Sequence, residues 1–232
     1  IGVVVILGVM IVPLPTLAMD FLLTINISTA LLVLMITLYI AAPLELSVFP
    51  GLLLVMTGPS GAGKSSLVRG AQRTLPELEF SVSCTTRAMR RGEVEGVDYF
   101  FVDPGDFERR QARGEFLESA TVHGNSYGTP SDHVARRVAA GAVVILDIDV
   151  QGAAQVRASG TEAVFLFVLP PSFDVLEARL RGRATDTDEV IRGRLDVARS
   201  EMAEAPWFDY QVINDDLDRA IAELLTVVDR ER

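Results

Sequence analysis

The sequence has little cysteine, histidine or basic charge, and each shortage argues against a class of protein. Its single cysteine, Cys84, excludes an intrachain disulfide framework and is typical of a reducing compartment. Its two histidines, His123 and His133, have no cysteine or second histidine at ligand spacing, which argues against a zinc site. The 21 lysines and arginines are outnumbered by 31 acids, and the net charge of −10 argues against a non-specific nucleic-acid binder.

Charged residues are nearly absent from the first fifty positions, where only Asp20 and Glu45 occur. Two uncharged stretches, 1–19 and 21–44, each approach the roughly 20 apolar residues that cross a hydrocarbon core. We therefore expect a hydrophobic hairpin of two transmembrane helices, with Asp20 in or near its turn and membrane association through residues 1–42. The alternative is a buried core helix followed by a strand. A secretory signal peptide fits less well because no basic segment precedes the apolar run. Lysine and arginine are absent from both flanks, so charge bias gives no membrane orientation.

A phosphate-binding loop follows this leader. The segment that ends at Lys64 and Ser65 matches G-x-x-x-x-G-K-[ST], and it lies between a predicted buried strand, 52–57, and a predicted helix, 65–75. The glycines let successive backbone N–H groups point into one concavity at a helix N-terminus. Lys64 is expected to reach the phosphates, and the Ser65 hydroxyl to ligate Mg²⁺. The alternative is a glycine-rich turn before a helix. The residues predicted to bind the nucleoside triphosphate are Gly58, Pro59, Ser60, Gly61, Ala62, Gly63, Lys64, Ser65 and Ser66.

The remaining sequence alternates predicted strands and helices, as in an α/β protein with a parallel core sheet. Strands are predicted at 97–102, 115–122, 142–149, 163–169 and 210–213. Helices are predicted at 103–114, 131–140, 188–205 and 217–228, with a further helix that Ser172 caps. The segment 124–130 has the composition of a turn.

Two acids and a group of arginines are candidates for phosphate chemistry. Asp147 lies near the end of a buried strand and is expected on the Mg²⁺ side, whereas Asp149 alternates to the opposite face and is expected to have a separate role. Arginines flank the polar turn 185–189, and a helical hairpin that carries them would form a lid over phosphates. The alternative is an exposed, salt-bridged face. These lid arginines are Arg179, Arg181, Arg183, Arg192 and Arg194.

The leader resembles the first membrane segments of the flagellar and type III secretion export-gate family. In that family many more membrane helices follow, whereas here the phosphate loop follows. The chain thus resembles an export-gate fragment joined to a different enzyme, either by gene fusion or through an assembly or frameshift error. The motifs that carry the resemblance are Ile11-Val12-Pro13-Leu14-Pro15, Asp20-Phe21-Leu22-Leu23-Thr24-Ile25-Asn26-Ile27 and Pro43-Leu44-Glu45-Leu46-Ser47-Val48-Phe49-Pro50.

The segment from residue 51 to the C-terminus resembles guanylate kinase. The phosphate loop is one of several motifs that agree at once, and together they are far more specific than the loop alone. The others are Ser83-Cys84-Thr85-Thr86-Arg87, Gly92-Glu93-Val94, Asp98-Tyr99, Phe116-Leu117-Glu118, Tyr127-Gly128-Thr129, Leu146-Asp147-Ile148-Asp149-Val150-Gln151-Gly152 and Val212-Ile213-Asn214-Asp215-Asp216-Leu217.

The resemblance implies ATP-dependent phosphorylation of GMP to GDP by a cytoplasmic enzyme with Mg²⁺ as its cofactor and no nucleic-acid partner. It also implies a P-loop nucleoside monophosphate kinase fold at 51–232, with a β-rich GMP-binding insert at about 84–140 and a lid at about 179–195. If the leader, 1–50, is genuine, the enzyme would be tethered to the cytoplasmic face of the inner membrane. The implied GMP-binding residues are Ser83, Arg87, Arg90, Tyr99, Glu118, Tyr127, Thr129 and Asp149, the catalytic ones are Lys64, Arg179, Arg183 and Arg194, and the metal ligands are Ser65 and Asp147.

Three rival functions remain open. A peptide-binding scaffold of the same fold would be expected to lose the phosphate loop, and a kinase for another acceptor would lose Ser83 and Glu118; all of these are present. A component of the export apparatus is suggested by the leader alone. One departure from the family is Ala184, where a glycine is usual in the lid.

Overall fold

The computed structural model describes residues 16–39, 50–122, 124–182 and 187–232. The chain divides into two compact units, Ile1–Leu46 and Ser47–Arg232.

The first unit contains one described helix, α1 (Thr16–Tyr39). Asp20 lies inside this helix and is exposed, so it is not itself a turn residue, and a turn near it, before Thr16, would lie outside the described residues. The reason is local: residues 16–24 contain no glycine or proline, and one solvated carboxylate does not interrupt a helix. The rest of the predicted hairpin, 1–15 and 40–49, lies outside the described residues. Over the part of the chain that the structure describes, no helix has both the length and the apolar character of a membrane span.

The second unit contains two sheets. Its strands are β1 (Leu52–Thr57), β2 (Leu78–Phe80), β3 (Cys84–Thr85), β4 (Phe100–Phe101), β5 (Phe116–Val122), β6 (Asn125–Pro130), β7 (Val143–Asp147), β8 (Val164–Leu169) and β9 (Tyr210–Ile213). The core sheet has the order β2-β7-β1-β8-β9, and every neighbouring pair is parallel, as predicted. The smaller sheet has the order β4-β3-β6-β5.

The helices of this unit are α2 (Lys64–Ala71), α3 (Pro104–Ala112), α4 (Ser131–Ala139), α5 (Val150–Ala158), α6 (Phe173–Arg181), α7 (Asp188–Ala203) and α8 (Leu217–Glu231), with a 3₁₀ turn at Ala205–Trp207. Helices α2 and α8 pack on one face of the core sheet, and α4 and α5 pack on the other. Helix α2 ends at Ala71 rather than near residue 75, because a series of turns follows it. Sequence reasoning did not predict α5, which Asp149 caps by accepting from the Gly152 N–H.

The central strand β1 is buried on both faces, which explains its unbroken apolar sequence. Leu54 and Met56 pack into a cluster with α2 and α8, and Leu53 and Val55 pack into a second cluster on the other face. Full burial of such side chains contributes about 1.5–3 kcal/mol each. This packing fixes the carboxyl end of β1, from which the phosphate loop begins.

The segment 124–130, predicted as a turn, is a strand. Residues Asn125–Pro130 pair antiparallel with β5, and within this segment only Gly124 is a turn residue. Gly128 is needed here for close packing rather than for a turn, since a Cβ at this position would lie 3.0 Å from the Phe116 ring and 3.1 Å from that of Phe107. The strand predicted at 97–102 is likewise reduced to Phe100–Phe101, because residues 95–99 form a turn.

Candidate active site

The phosphate loop connects β1 to α2 through three glycines with positive φ, at Gly58, Gly61 and Gly63. A Cβ on Gly58 would lie 2.4 Å from the Val168 carbonyl oxygen, so the first residue of the loop is in close contact with the backbone of β8. Side chains other than hydrogen would clash or force left-handed backbone into strain at these positions. The local sequence therefore fixes an open loop of backbone N–H groups at the N-terminus of α2.

Lys64 and Asp147 face each other across the end of the core sheet. The Lys64 ammonium donates to the Gly58 carbonyl (2.5 Å) and lies 3.6 Å from the Asp147 carboxylate, whose side chain is 31% exposed. Partial desolvation raises the pKa of Asp147 above its usual range, and the Lys64 charge opposes that rise. This pair places one cation and one carboxylate beside the loop.

The Ala62 carbonyl joins three segments that are distant in sequence. It accepts from the Asn214 side-chain amide (2.7 Å) and from the Arg179 guanidinium (3.3 Å), and Arg179 also donates to the Asn214 carbonyl (2.9 Å). Asn214 is 5% exposed, and a Cβ on Gly63 would lie 2.2 Å from its amide nitrogen. The end of β9 and helix α6 thus hold the loop from outside.

A buried carboxylate marks the smaller sheet. Glu118 on β5 is 7% exposed and accepts from the Thr129 hydroxyl (2.7 Å), which lies 3.5 Å from the Ser83 hydroxyl. Burial raises the pKa of Glu118, the Thr129 hydrogen bond opposes this, and the nearby charge of Asp149 adds to it. The Glu118 carboxylate and the hydroxyls of Thr129 and Ser83 thus form one polar cluster on the smaller sheet.

An arginine and two tyrosines form the other end of the smaller sheet. The Arg87 guanidinium binds both oxygens of Glu93 (2.7 and 3.1 Å) and lies 5.4 Å from the centre of the Tyr99 ring. Tyr127 lies edge-on to Tyr99 at 6.0 Å. The Glu93 contact raises the pKa of Arg87 and lowers that of Glu93. Arg90 is exposed, and its backbone N–H donates to Glu93 (2.7 Å).

One cavity connects the phosphate loop with the smaller sheet. Its volume is about 250 Å³. Ser65 and Asp147 line it on the side of the loop, and Ser83, Tyr99 and Thr129 line it on the other. It lies at the carboxyl ends of parallel strands, where ligands of open α/β sheets bind.

Comparison with known proteins gives this arrangement a family. The guanylate kinase profile matches residues 51–231, which include the whole core sheet, the smaller sheet and the cavity. The chain belongs to the guanylate kinase family. A second profile, that of the FHIPEP family, matches residues 6–58 and supports the resemblance of the leader to the export-gate family.

Similar proteins agree with this guanylate kinase assignment. The chain is 47% identical over 182 residues to the guanylate kinase of Carboxydothermus hydrogenoformans, and the aligned region covers 78% of this chain and 89% of that protein. It is 50% identical over 171 residues to the guanylate kinase of Trichormus variabilis, covering 74% and 86%. The crystal structure of guanylate kinase from Anaplasma phagocytophilum matches with a TM-score of 0.58 and 34% identity, covering 78% of this chain and 86% of that one.

Most residues that the guanylate kinase resemblance singled out lie around this cavity or the phosphate loop, but the lid is only partly described. Arg179 binds the loop, and Arg194 is half-buried on α7. Arg183 and Ala184 lie outside the described residues.

Two residues near the site have no function that the sequence alone predicts. Asn214 belongs to a family motif without an assigned role, and its hydrogen bond to the Ala62 carbonyl spans 152 positions. Glu201 on α7 borders a second cavity with Asp149; burial raises the pKa of Glu201, Lys64 opposes this and Asp149 adds to it. An acid on a long charged helix gives no sequence signal of such a position, because it resembles an exposed face.

Proposed function

We propose that this chain transfers the terminal phosphoryl group of ATP to GMP, forming GDP. The observation that carries the proposal is a cavity lined by Ser65 and Asp147 beside the phosphate loop and by Ser83 and Thr129 on the opposite side. The Thr129 hydroxyl also donates to the buried carboxylate of Glu118. A phosphate loop alone indicates a nucleoside triphosphate, and the polar cluster on the smaller sheet supplies the acceptor site.

Guanine selection is assigned to Glu118, with Ser83, Thr129 and Asp149 around it. Guanine offers N1–H and N2–H₂ as neighbouring donors, which a carboxylate can accept together. Adenine does not offer that pattern, and a buried carboxylate left without donors would be costly. The Thr129 hydroxyl donates to one oxygen of Glu118, and we assign the second oxygen to the base.

The acceptor phosphate is assigned to Arg87, Arg90, Tyr99 and Tyr127. Arginine binds phosphate through paired N–H donors, and tyrosine hydroxyls add single donors. Glu93 engages both terminal nitrogens of Arg87 through one N–H each, so the phosphate is assigned to the other donors of this guanidinium.

The ATP phosphates are assigned to the loop residues 58–66 and to Lys64, with Arg179, Arg183 and Arg194 closing from the lid. The chemistry needs alignment and charge stabilisation rather than a general base, since the acceptor oxygen is largely ionised at neutral pH. Ser65 and Asp147 are suited to hold Mg²⁺, which prefers one or two protein oxygens together with phosphate oxygens. When bound, the ion supplies neutralisation of the phosphate charge.

A coupled assay with ATP–Mg²⁺ and GMP, AMP, CMP or UMP tests this function. Turnover with GMP and little with the others is expected. Binding of nucleotides without turnover would favour the scaffold alternative, and turnover with another acceptor would overturn the assignment of Glu118.

We also propose that residues 51–232 form the kinase domain, with the GMP-binding insert at 84–140 and the lid at 179–195. The leader is proposed to associate with a membrane, while the kinase domain works in the cytoplasm. Support comes from α1, whose described side chains from Phe21 to Val33 are mostly large, apolar and exposed. A helix that is apolar all round requires a partner. Co-flotation of the full chain with phosphatidylglycerol–phosphatidylethanolamine vesicles, compared with a chain lacking residues 1–49, tests this; equal flotation of the two would overturn it.

A further inference from the structure

Arg69 lies on the phosphate-loop helix on the same side as Ser65. The two residues are four positions apart in α2, and such residues are neighbours on one face. Both line the cavity that connects the loop with the smaller sheet. Arg69 thus enters the candidate active site from a helix to which the sequence motifs assign only Lys64, Ser65 and Ser66.

The Arg69 side chain is exposed and makes no hydrogen bond or ion pair with any residue that the structure describes. This is notable because two carboxylates, Asp98 and Asp147, line the same cavity. Asp98 instead accepts from the Val94 N–H (2.7 Å), and Asp147 lies beside Lys64. The guanidinium therefore keeps its charge and all five donors for a ligand.

The same cavity contains a second unsatisfied polar group. The Ser81 hydroxyl oxygen is buried and has no hydrogen-bond partner among the described residues. It follows β2, and its backbone N–H donates to the Ile145 carbonyl (2.9 Å), so its position is fixed by the core sheet. A buried hydroxyl without a partner carries a cost that a bound polar group would remove.

We propose that Arg69 binds the phosphate of the acceptor nucleotide, as a cation additional to Arg87 and Arg90. Of the described residues that line the cavity, Arg69 is the only cation. It adjoins Ser65 on one side and shares the cavity with Tyr99, over whose ring Arg87 lies. A guanidinium has donors only, so it matches a phosphate and not the donor edge of guanine. Glu93 already neutralises Arg87, and Arg69 supplies the charge that this pair lacks.

This inference rests on the proposed function, and its test keeps the two separate. The full chain is assayed as wild type, R69Q, R69K and R73Q. Arg73 is the matched control, because it lies one turn further along the chain and is exposed. It borders a cavity between α2 and α8 but not the cavity that connects the phosphate loop with the smaller sheet. If the wild type fails to phosphorylate GMP, the proposed function fails before Arg69 is judged.

With an active wild type, R69Q should raise KM for GMP about tenfold, the size of one hydrogen bond to a charged group, and leave KM for ATP unchanged. R69K should recover part of the loss, and R73Q should match the wild type. Calorimetry without ATP should show weaker binding of GMP to R69Q and unchanged binding of guanosine, which lacks the phosphate. An unchanged KM for GMP, a rise in KM for ATP instead, or an equal loss for guanosine would each overturn the proposal.

Discussion

At the residue scale, the burial of Glu118 links substrate recognition to pH. Guanine donors require the ionised carboxylate, while burial raises the pKa of Glu118 above its usual range. We therefore expect KM for GMP to rise as the pH falls through that raised pKa, with little change in KM for ATP. Steady-state kinetics from pH 5 to 8 would measure both constants.

E118Q is the variant that isolates this effect. Glutamine keeps one acceptor oxygen but has an NH₂ donor in place of the other, and this donor would face the donors of guanine. KM for GMP should therefore rise about 10- to 100-fold. The substitution should also remove most of the acid dependence. E108Q serves as the control, since Glu108 is an exposed acid on α3. Loss of the pH dependence in E108Q as well would show that Glu118 is not its source.

The raised pKa of Glu118 also predicts how stability depends on pH, and stability should change with pH in the opposite direction to GMP binding. Because the pKa of Glu118 is higher in the folded state than in the unfolded chain, folding takes up a proton between the two values, and stability falls as the pH rises through that window. E118Q should thus unfold at a higher denaturant concentration than the wild type above the window and lose that advantage below it. Urea unfolding at several pH values would measure this, and a constant difference between the two chains would contradict it.

Residue-level prediction from the sequence was strongest where a motif has one chemical use. The loop, the Lys64–Ser65 pair and the acids at 147 and 149 are predictable because their spacing is tied to phosphate chemistry, and their roles in binding stay predictions. The sequence could not show that Glu93 engages Arg87 or that Arg69 has no hydrogen-bond or ion-pair partner within 16–39, 50–122, 124–182 and 187–232, because such facts depend on which side chains meet after folding.

At the element scale, the phosphate loop depends on β9 and α6 for its shape. The Asn214 amide satisfies the Ala62 carbonyl from the end of β9, and N214A would leave that carbonyl with the longer Arg179 contact alone. We expect N214A to lower the free energy of unfolding by about 1–3 kcal/mol and to raise KM for ATP more than KM for GMP. Thermal unfolding and initial rates would measure the two effects.

The matched control for this prediction is Q211A. Gln211 lies on β9, the strand that Asn214 directly follows. Its side-chain amide also donates to a backbone carbonyl, that of Ala205 (3.2 Å), away from the loop. It should lower stability without changing KM for ATP. If both variants changed KM for ATP equally, the bond to Ala62 would not be what positions the loop.

Element prediction failed where tertiary packing overrode local composition. Glycine, asparagine and proline between residues 124 and 130 are typical of a turn, yet pairing with β5 and the Phe107–Phe116 stack make this segment a strand. Similarly, Asp20 suggested a turn, but nothing in its neighbours stops α1. The parallel strands were predictable because a segment that is buried on both faces is apolar throughout.

At the scale of the whole molecule, the kinase unit carries its own core. Its three hydrophobic clusters draw all their members from Leu52 onward. The Pro50 carbonyl accepts from Arg232 (3.1 Å), and this contact ties the start of the unit to its C-terminus. Because the kinase unit supplies these clusters from its own residues, we expect its chemistry to be independent of the leader.

We therefore expect the fragment 50–232 to fold and to phosphorylate GMP with kcat and KM within about twofold of the full chain, because surface changes away from the core rarely exceed 0.5 kcal/mol. A second fragment, 55–232, lacks Leu52, Leu53 and Leu54 of the central strand and should fail to fold. Burial of each of these side chains contributes about 1.5–3 kcal/mol, whereas the free energy of unfolding of a whole domain is only about 5–15 kcal/mol. Circular dichroism and the coupled assay on both fragments measure this. An inactive but folded fragment 50–232 would mean that the leader takes part in catalysis, and the two parts of the chain would then have to be treated as one functional unit.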